Sequence, residues 1–388
     1  MKSKIISAIQ VDIFSISFPP VGISNKSHRT HTLIRAFGIT ALMISVLVGV
    51  AGAVPFAYVT NAGDYMNSGT VSVIDIATNN VIATVPVGIC PGEVAVTPDG
   101  TKVYVANFGI GSTSVSIIDT VTNTVNSTVN IGGTPWGVAV NPAGTRVYVT
   151  NRDSTTVSVI DTATNGVIAP INVGWSPDRV AVNPDGKKIY VTNRRSNTTS
   201  VIDVTTNNII ATVNVGSNPF GVVVSPDGTK VYVENDNSST VSVIDTATNT
   251  VNSTVNIGGS PWGVATNPTG SRVYVTNWED NSVSVIDTVT NNVTATVPVG
   301  IDPCGVAVTP DGTKVYVANF NSSNVSVIDA ATNIVIATIS IGYHPIGVAI
   351  GLGSSSDGNE SSKNNFVPGF GFLGSLACLY GGWKLRKK

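Results

Sequence analysis

Eight residues of this chain could take part in recognition or proton transfer: Arg152, Arg179, Arg194, Arg195, Glu93, His344, Trp175 and Trp278. Guanidinium forks suit carboxylates and phosphates, which they bind through paired N–H donors. A carboxylate such as Glu93 beside an imidazole such as His344 could move a proton. Trp175 and Trp278 offer flat apolar faces with one polar edge. Asp236, Glu279, Asp280 and Asp302 supply the opposing charge.

Metal and nucleophile chemistry has less to draw on. His28 and His31 precede an apolar run, which leaves His344 as the one histidine beyond it. Cys90, Cys304 and Cys378 are far apart in sequence. That inventory does not make a His or Cys metal site, so no metal and no cofactor are expected. Carboxylate-bound calcium stays open at Asp236, Glu279 and Asp280, although they lack the dense spacing of a calcium loop. A Ser-His-Asp arrangement could be built only around His344. A formal net charge of -2 with 11% charged residues gives no reason to expect nucleic acid.

These residues sit in a repeated cassette. Tyr58, Tyr104, Tyr148, Tyr190, Tyr232, Tyr274 and Tyr316 each open a Tyr-Val-x-Asn segment, and from Tyr148 onward the interval is 42 residues. Asp75, Asp119, Asp161, Asp203, Asp245, Asp287 and Asp329 mark a second segment of the same repeat. In the copy beginning at Pro135, strands are expected at 137–141, 146–150, 157–160 and 167–173, alternating apolar with polar or small residues. Pro-Asp-Gly and Asp-x-x-Thr-Asn turns separate them, each aspartate accepting a downstream N–H. Four short strands per repeat of this period predict an all-β fold, a seven-bladed β-propeller of four-stranded antiparallel blades.

The array starts and stops out of phase. Its N-terminal copy lacks the Gly-Val-Ala-Val strand, and 347–350 supplies one at the far end. That strand is expected to enter the first blade as its innermost member, a three-plus-one closure that leaves no open edge. The propeller is thus expected over 54–351. Residues 1–53 read as a leader with an apolar run at 36–50 and Ala51-Gly52-Ala53 as a cleavage site. Residues 352–366 read as a polar linker, and 367–388 as a sorting or membrane-anchor segment ending in Lys384, Arg386, Lys387 and Lys388.

The Tyr-Val-Thr-Asn segments with their Pro-Asp-Gly turns resemble the YVTN-type β-propeller repeat proteins, archaeal surface-layer proteins among them. Pro368-Gly369-Phe370, an apolar stretch and a basic end resemble the C-terminal sorting signal of archaeal surface proteins, which is cut and replaced by a lipid. The resemblance implies an extracellular protein anchored in the cell envelope. The expected function is a non-enzymatic surface-layer or adhesion module whose partners are other surface proteins or polysaccharide. The alternative is an extracellular ligand-binding, hydrolase or oxidoreductase propeller that uses the channel mouth around Glu93, Arg179 and His344.

Function is expected where the copies differ, on the face formed by the loops after Tyr-Val-x-Asn and around Pro-x-x-Val. Arg152, Arg179, Arg194 and Arg195 are expected to form one basic patch there, opposite an acidic sector at Asp236, Glu279, Asp280 and Asp302; solvated loops are the alternative. Trp136, Phe220 and Trp262 share one repeat position and read as plugs packed between blades, with Trp175 and Trp278 as exposed contacts. Asn126, Asn197, Asn237, Asn252, Asn292, Asn321, Asn324 and Asn359 begin sequons and are permitted glycosylation sites.

Overall fold

In the computed structural model, which describes residues 55–64 and 66–352, the repeat builds seven four-stranded antiparallel sheets. The copy from Pro135 shows how. Its strands are Pro135–Val140, Arg146–Asn151, Thr156–Asp161 and Val167–Asn172, paired in that order. Its outer strand is exposed except at Ile171, whereas outer strands of other blades, such as Thr124–Asn130, alternate in the expected way. The two middle strands are buried almost throughout, because both faces of a blade pack against neighbouring blades. Each interface is filled by valines and isoleucines around one buried tyrosine, such as Tyr148 with Val157, Val159 and Ile189.

The recurring polar residues are structural. Asn151 donates through Nδ2 to Thr156 Oγ1 at 2.8 Å and Ser158 Oγ at 3.0 Å, tying the second strand to the third. Asp161 accepts the N–H groups of Ala163 and Thr164 at 3.1 and 2.9 Å. Asn165 then takes the left-handed backbone, φ 56°, which asparagine tolerates well. One face of the ring is clamped by the basic residue that opens the second strand. Lys188 Nζ donates to the carbonyl of Thr246 in the next blade at 2.6 Å, and Lys230 to Thr288 at 2.8 Å.

The other face is clasped by the threonine of Tyr-Val-Thr-Asn. Thr276 Oγ1 accepts the Gly263 N–H at 2.8 Å and donates to the next blade's Cys304 carbonyl at 2.6 Å. Both contacts are fully buried. Replacing Thr276 by isosteric valine should therefore cost about 1–3 kcal/mol, read as a lower urea midpoint at unchanged slope.

The ring closes as the out-of-phase array requires. Pro345–Leu352 pairs antiparallel with Pro55–Asn61, with Val59 opposite Val348 and Ala57 opposite Ile350. Thr60 joins this blade to the next, accepting from Gly347 N–H at 2.8 Å and donating to the Gly92 carbonyl at 2.5 Å. Cys90 and Cys304 are both buried and free. The leader, the linker, the anchor segment, Cys378 and Asn359 lie outside the described residues.

Candidate functional site

Reading the same position in successive blades gives three rings of side chains down the central channel. The outermost follows each Tyr-Val-x-Asn: Ala62, Phe108, Arg152, Arg194, Asp236, Trp278 and Phe320. The second follows each Pro of the innermost strand: Gly92, Trp136, Asp178, Phe220, Trp262, Cys304 and Ile346. The third is glycine except at Glu93 and Arg179. A β-propeller places all of these near its axis, so each departure from the consensus changes the channel.

The second ring closes the channel. Phe220 lies 4.4 Å from Trp262 and 6.1 Å from Trp136, ring centre to ring centre, although the three come from different blades. These residues pack between blades, Phe220 against Trp262 of the adjacent blade, and Trp136 of a more distant blade joins them. Gly92 and Cys304, small residues of the same ring, leave room for the large rings to meet. Trp278 extends the cluster by stacking on Trp262 at 4.9 Å and lies 5.3 Å from Phe320. It is half-buried in that stack, whereas Trp175 is 58% exposed.

The four arginines divide between two places. Arg152, Arg194 and Arg195 line one open recess of about 530 Å³ on the variable face, with Thr134, Ser176 and Asn218. Arg179 lies within the channel instead, its Nη2 2.6 Å from Glu93 Oε1. That pair borders a second cavity of about 150 Å³ between the innermost strands. Phe220 stands between the two groups, 5.1 Å from the Arg179 guanidinium and 5.6 Å from that of Arg194.

The recess rests on a residue that sequence reasoning did not select. Asp178 is fully buried, its Oδ2 3.8 Å from Arg152 Nε and 4.0 Å from Arg194 Nε. Burial pushes its carboxyl up to about 6, against the pull of Arg152, Arg194 and Arg179. Asp178 places a counter-charge beside both Arg152 and Arg194. Arg152 is further fixed over the Trp136 ring at 4.2 Å, and Arg194 Nε donates to Asn218 Oδ1 at 2.7 Å. The signal was present: Asp178 is the one charged residue in the second ring.

The acidic sector also differs from expectation. Asp236 faces Arg194 at 3.7 Å and accepts from Asn218 Nδ2 at 2.6 Å, so it belongs to the arginine side. The cause is its place in the outermost ring, one blade beyond Arg194. Asp302 is engaged locally with Asn321. The His344 ring stacks on Phe320 at 4.2 Å, with Nδ1 2.8 Å from the Gly63 carbonyl. Its left-handed backbone, φ 54°, repeats that of Cys90, Ser176, Asn218 and Asp302 before their prolines.

A second unselected residue is Glu234, which takes the clasp position that threonine holds in blades on either side. It is fully buried and accepts the Gly221 N–H at 3.1 Å, while its Oε1 has no hydrogen-bond partner. Burial pushes its carboxyl up to about 8, although Arg179 pulls the other way. Burial likewise raises Glu93 against the pull of the same arginine. Among the described residues, no group of three or more His, Cys, Asp or Glu side chains is placed to hold a metal ion.

The sequons fall mainly on exposed positions: Asn126, Asn252 and Asn292 on outer strands, Asn197 and Asn321 in loops, and Asn237 in a short 3-10 turn. Asn324 is partly buried and accepts from Asn319 Nδ2 at 2.7 Å.

The chain is similar to several solved propellers. Hydrazine synthase of Kuenenia stuttgartiensis is 26% identical with a TM-score of 0.62, covering 74% of this chain and 98% of that one. A functionally unknown protein from Desulfotomaculum acetoxidans is 17% identical with a TM-score of 0.66, covering 77% and 99%. Dihydro-heme d1 dehydrogenase NirN is 16% identical with a TM-score of 0.60, covering 78% and 76%. No curated protein matches the sequence. A YNCE-like beta-propeller family matches residues 185–272. The match to the choice-of-anchor I domain runs over residues 22–222, just over half of the sequence, and the chain belongs to that family.

Proposed function

We propose that this protein is a cell-surface interaction module, held by its terminal segments and using the arginine recess to capture an anionic partner. One observation carries the reading: Arg152, Arg194 and Arg195 converge on a single recess, two of them braced by buried Asp178. Preorganised guanidinium groups bind carboxylate or phosphate without first losing side-chain freedom. The rigid ring beneath them suits a scaffold that presents one face. The leader and the Pro-Gly-Phe tail point to the outside of the cell, and a family named for its choice of anchor is in keeping with a tethered protein.

The test uses immobilised full-length protein and two anionic polymers, polygalacturonate and polyglutamate, at low and high salt. Arg195 is exposed, so Arg195→Glu leaves the fold intact. Binding should weaken with salt and drop about tenfold or more in the variant, a change of about 1.4 kcal/mol. Equal binding by wild type and Arg195→Glu would remove the recess from the account.

The second reading is an enzyme working at the channel. It draws on the likeness to hydrazine synthase and to a dihydro-heme d1 dehydrogenase, together with the buried Glu93–Arg179 pair beside its cavity. A turnover abolished by Glu93→Gln in a folded protein would select this reading over the first.

A further inference from the structure

Trp175 exposes 58% of its surface, yet its backbone is firmly held. Its N–H donates to Ser196 Oγ at 2.9 Å, and its carbonyl accepts the Arg195 N–H at 3.3 Å. Leaving a large indole in water forgoes the free energy of burying it, which a ligand could recover. Its chain neighbour Ser176 and its bonded neighbour Arg195 both line the recess of about 530 Å³. Thr134, Ser176 and the Arg195 cation therefore line one space, and the exposed indole stands beside it.

The charge there is modest. Asp178 lies between Arg152 and Arg194, Asp153 lines the recess and acts on Arg152, and Asp236 faces Arg194, so these two arginines already have counter-charges. Arg195 makes no ion pair among the described residues and is exposed. One spare guanidinium suits a ligand with one carboxylate per unit. It does not suit nucleic acid, whose dense phosphates reward many cations at once. A pyranose carrying a carboxylate meets each requirement, with C–H groups for the indole, hydroxyls for the recess wall and an anion for the guanidinium fork.

Resting on the anion-capture reading above, we infer that the recess binds an acidic polysaccharide, seating one uronate unit with its ring on Trp175 and its carboxylate on Arg195. The test is calorimetry of the full-length protein with trisaccharides cut from polygalacturonate, alginate and hyaluronate. Methyl-esterified trigalacturonate and hexaglutamate serve as the neutral-sugar and acidic-peptide controls. At least one uronate trisaccharide should bind. Trp175→Ala should weaken it about tenfold or more, Trp175→Tyr should largely restore it, and esterification should abolish it. Hexaglutamate binding as tightly as every trisaccharide, with Trp175→Ala neutral, overturns the sugar assignment and leaves anion capture standing. Absence of binding to all the carboxylates, or binding indifferent to Arg195→Glu, overturns both.

Discussion

A chain stopped after His344 is expected to lose its cooperative unfolding transition. The missing strand, Pro345–Leu352, is the innermost member of the first blade, although it is the last strand of the ring. Its removal takes away Ile346 and Val348, which are 2% and 8% exposed, and uncovers Ala57 and Val59, which are fully buried. It also ends the clasp of Thr60 on Gly347 and bares one edge of Pro55–Asn61. Each large apolar side chain is worth about 1.5–3 kcal/mol when buried. The sum approaches the whole stability of a typical domain, about 5–15 kcal/mol. Circular dichroism of the truncated chain should show a broad, weak melt and a tendency to aggregate. A sharp transition near that of the full chain would mean that the ring does not depend on this closure.

The second large effect concerns Glu234. At this position Thr60, Thr150, Thr192 and Thr276 each clasp two blades through a hydroxyl that both accepts and donates. An ionised carboxylate accepts only, and Oε1 has no hydrogen-bond partner. The groups that act on it electrostatically are Arg179, which favours ionisation, and Asp236 and Glu93, which oppose it. Its folded-state carboxyl is raised to about 8 from an ordinary value near 4.5. A group raised in this way contributes stability that is complete below its unfolded value and is lost as pH rises through the folded one. Stability should thus decline between pH ~4.5 and ~8. Asp178, raised to about 6, adds a smaller decline that ends lower.

Glu234→Thr installs the clasp and removes the larger of these losses. At pH ~9 the variant should gain on the order of 2–4 kcal/mol, and its melting temperature should change less with pH. Melting curves of both proteins across the acid-to-alkaline range decide the matter. Parallel pH profiles for wild type and variant would show that Glu234 is not the buried acid described here.

The seven-fold cassette made the fold legible because each blade solves the same packing problem with the same residues. Tyr148, Asn151 and Asp161 recur in every copy for reasons that one blade explains. The closing strand was legible too, since the array begins and ends out of phase. The site was less so. Arg152, Arg194 and Arg195 were visible as departures from the repeat, and they do line one recess. Arg179 looked equivalent but occupies the third ring, so it turns to Glu93 inside the channel. Burial, which a linear pattern does not specify, decides that difference. Asp178 and Glu234 were not singled out, because their burial depends on how successive blades meet. At ring positions facing the axis, an acidic substitution places a carboxyl among aromatic rings and backbone.

Ligand is expected to meet the variable face at the arginine recess. Hydrogen–deuterium exchange of the full-length protein, with and without polygalacturonate oligomers, tests this directly. Protection is predicted in residues 152–155, 175–178 and 194–197, with the Pro-Asp-Gly turns of the opposite face unchanged. Protection confined to those turns, or to the blade rims away from the axis, would contradict it.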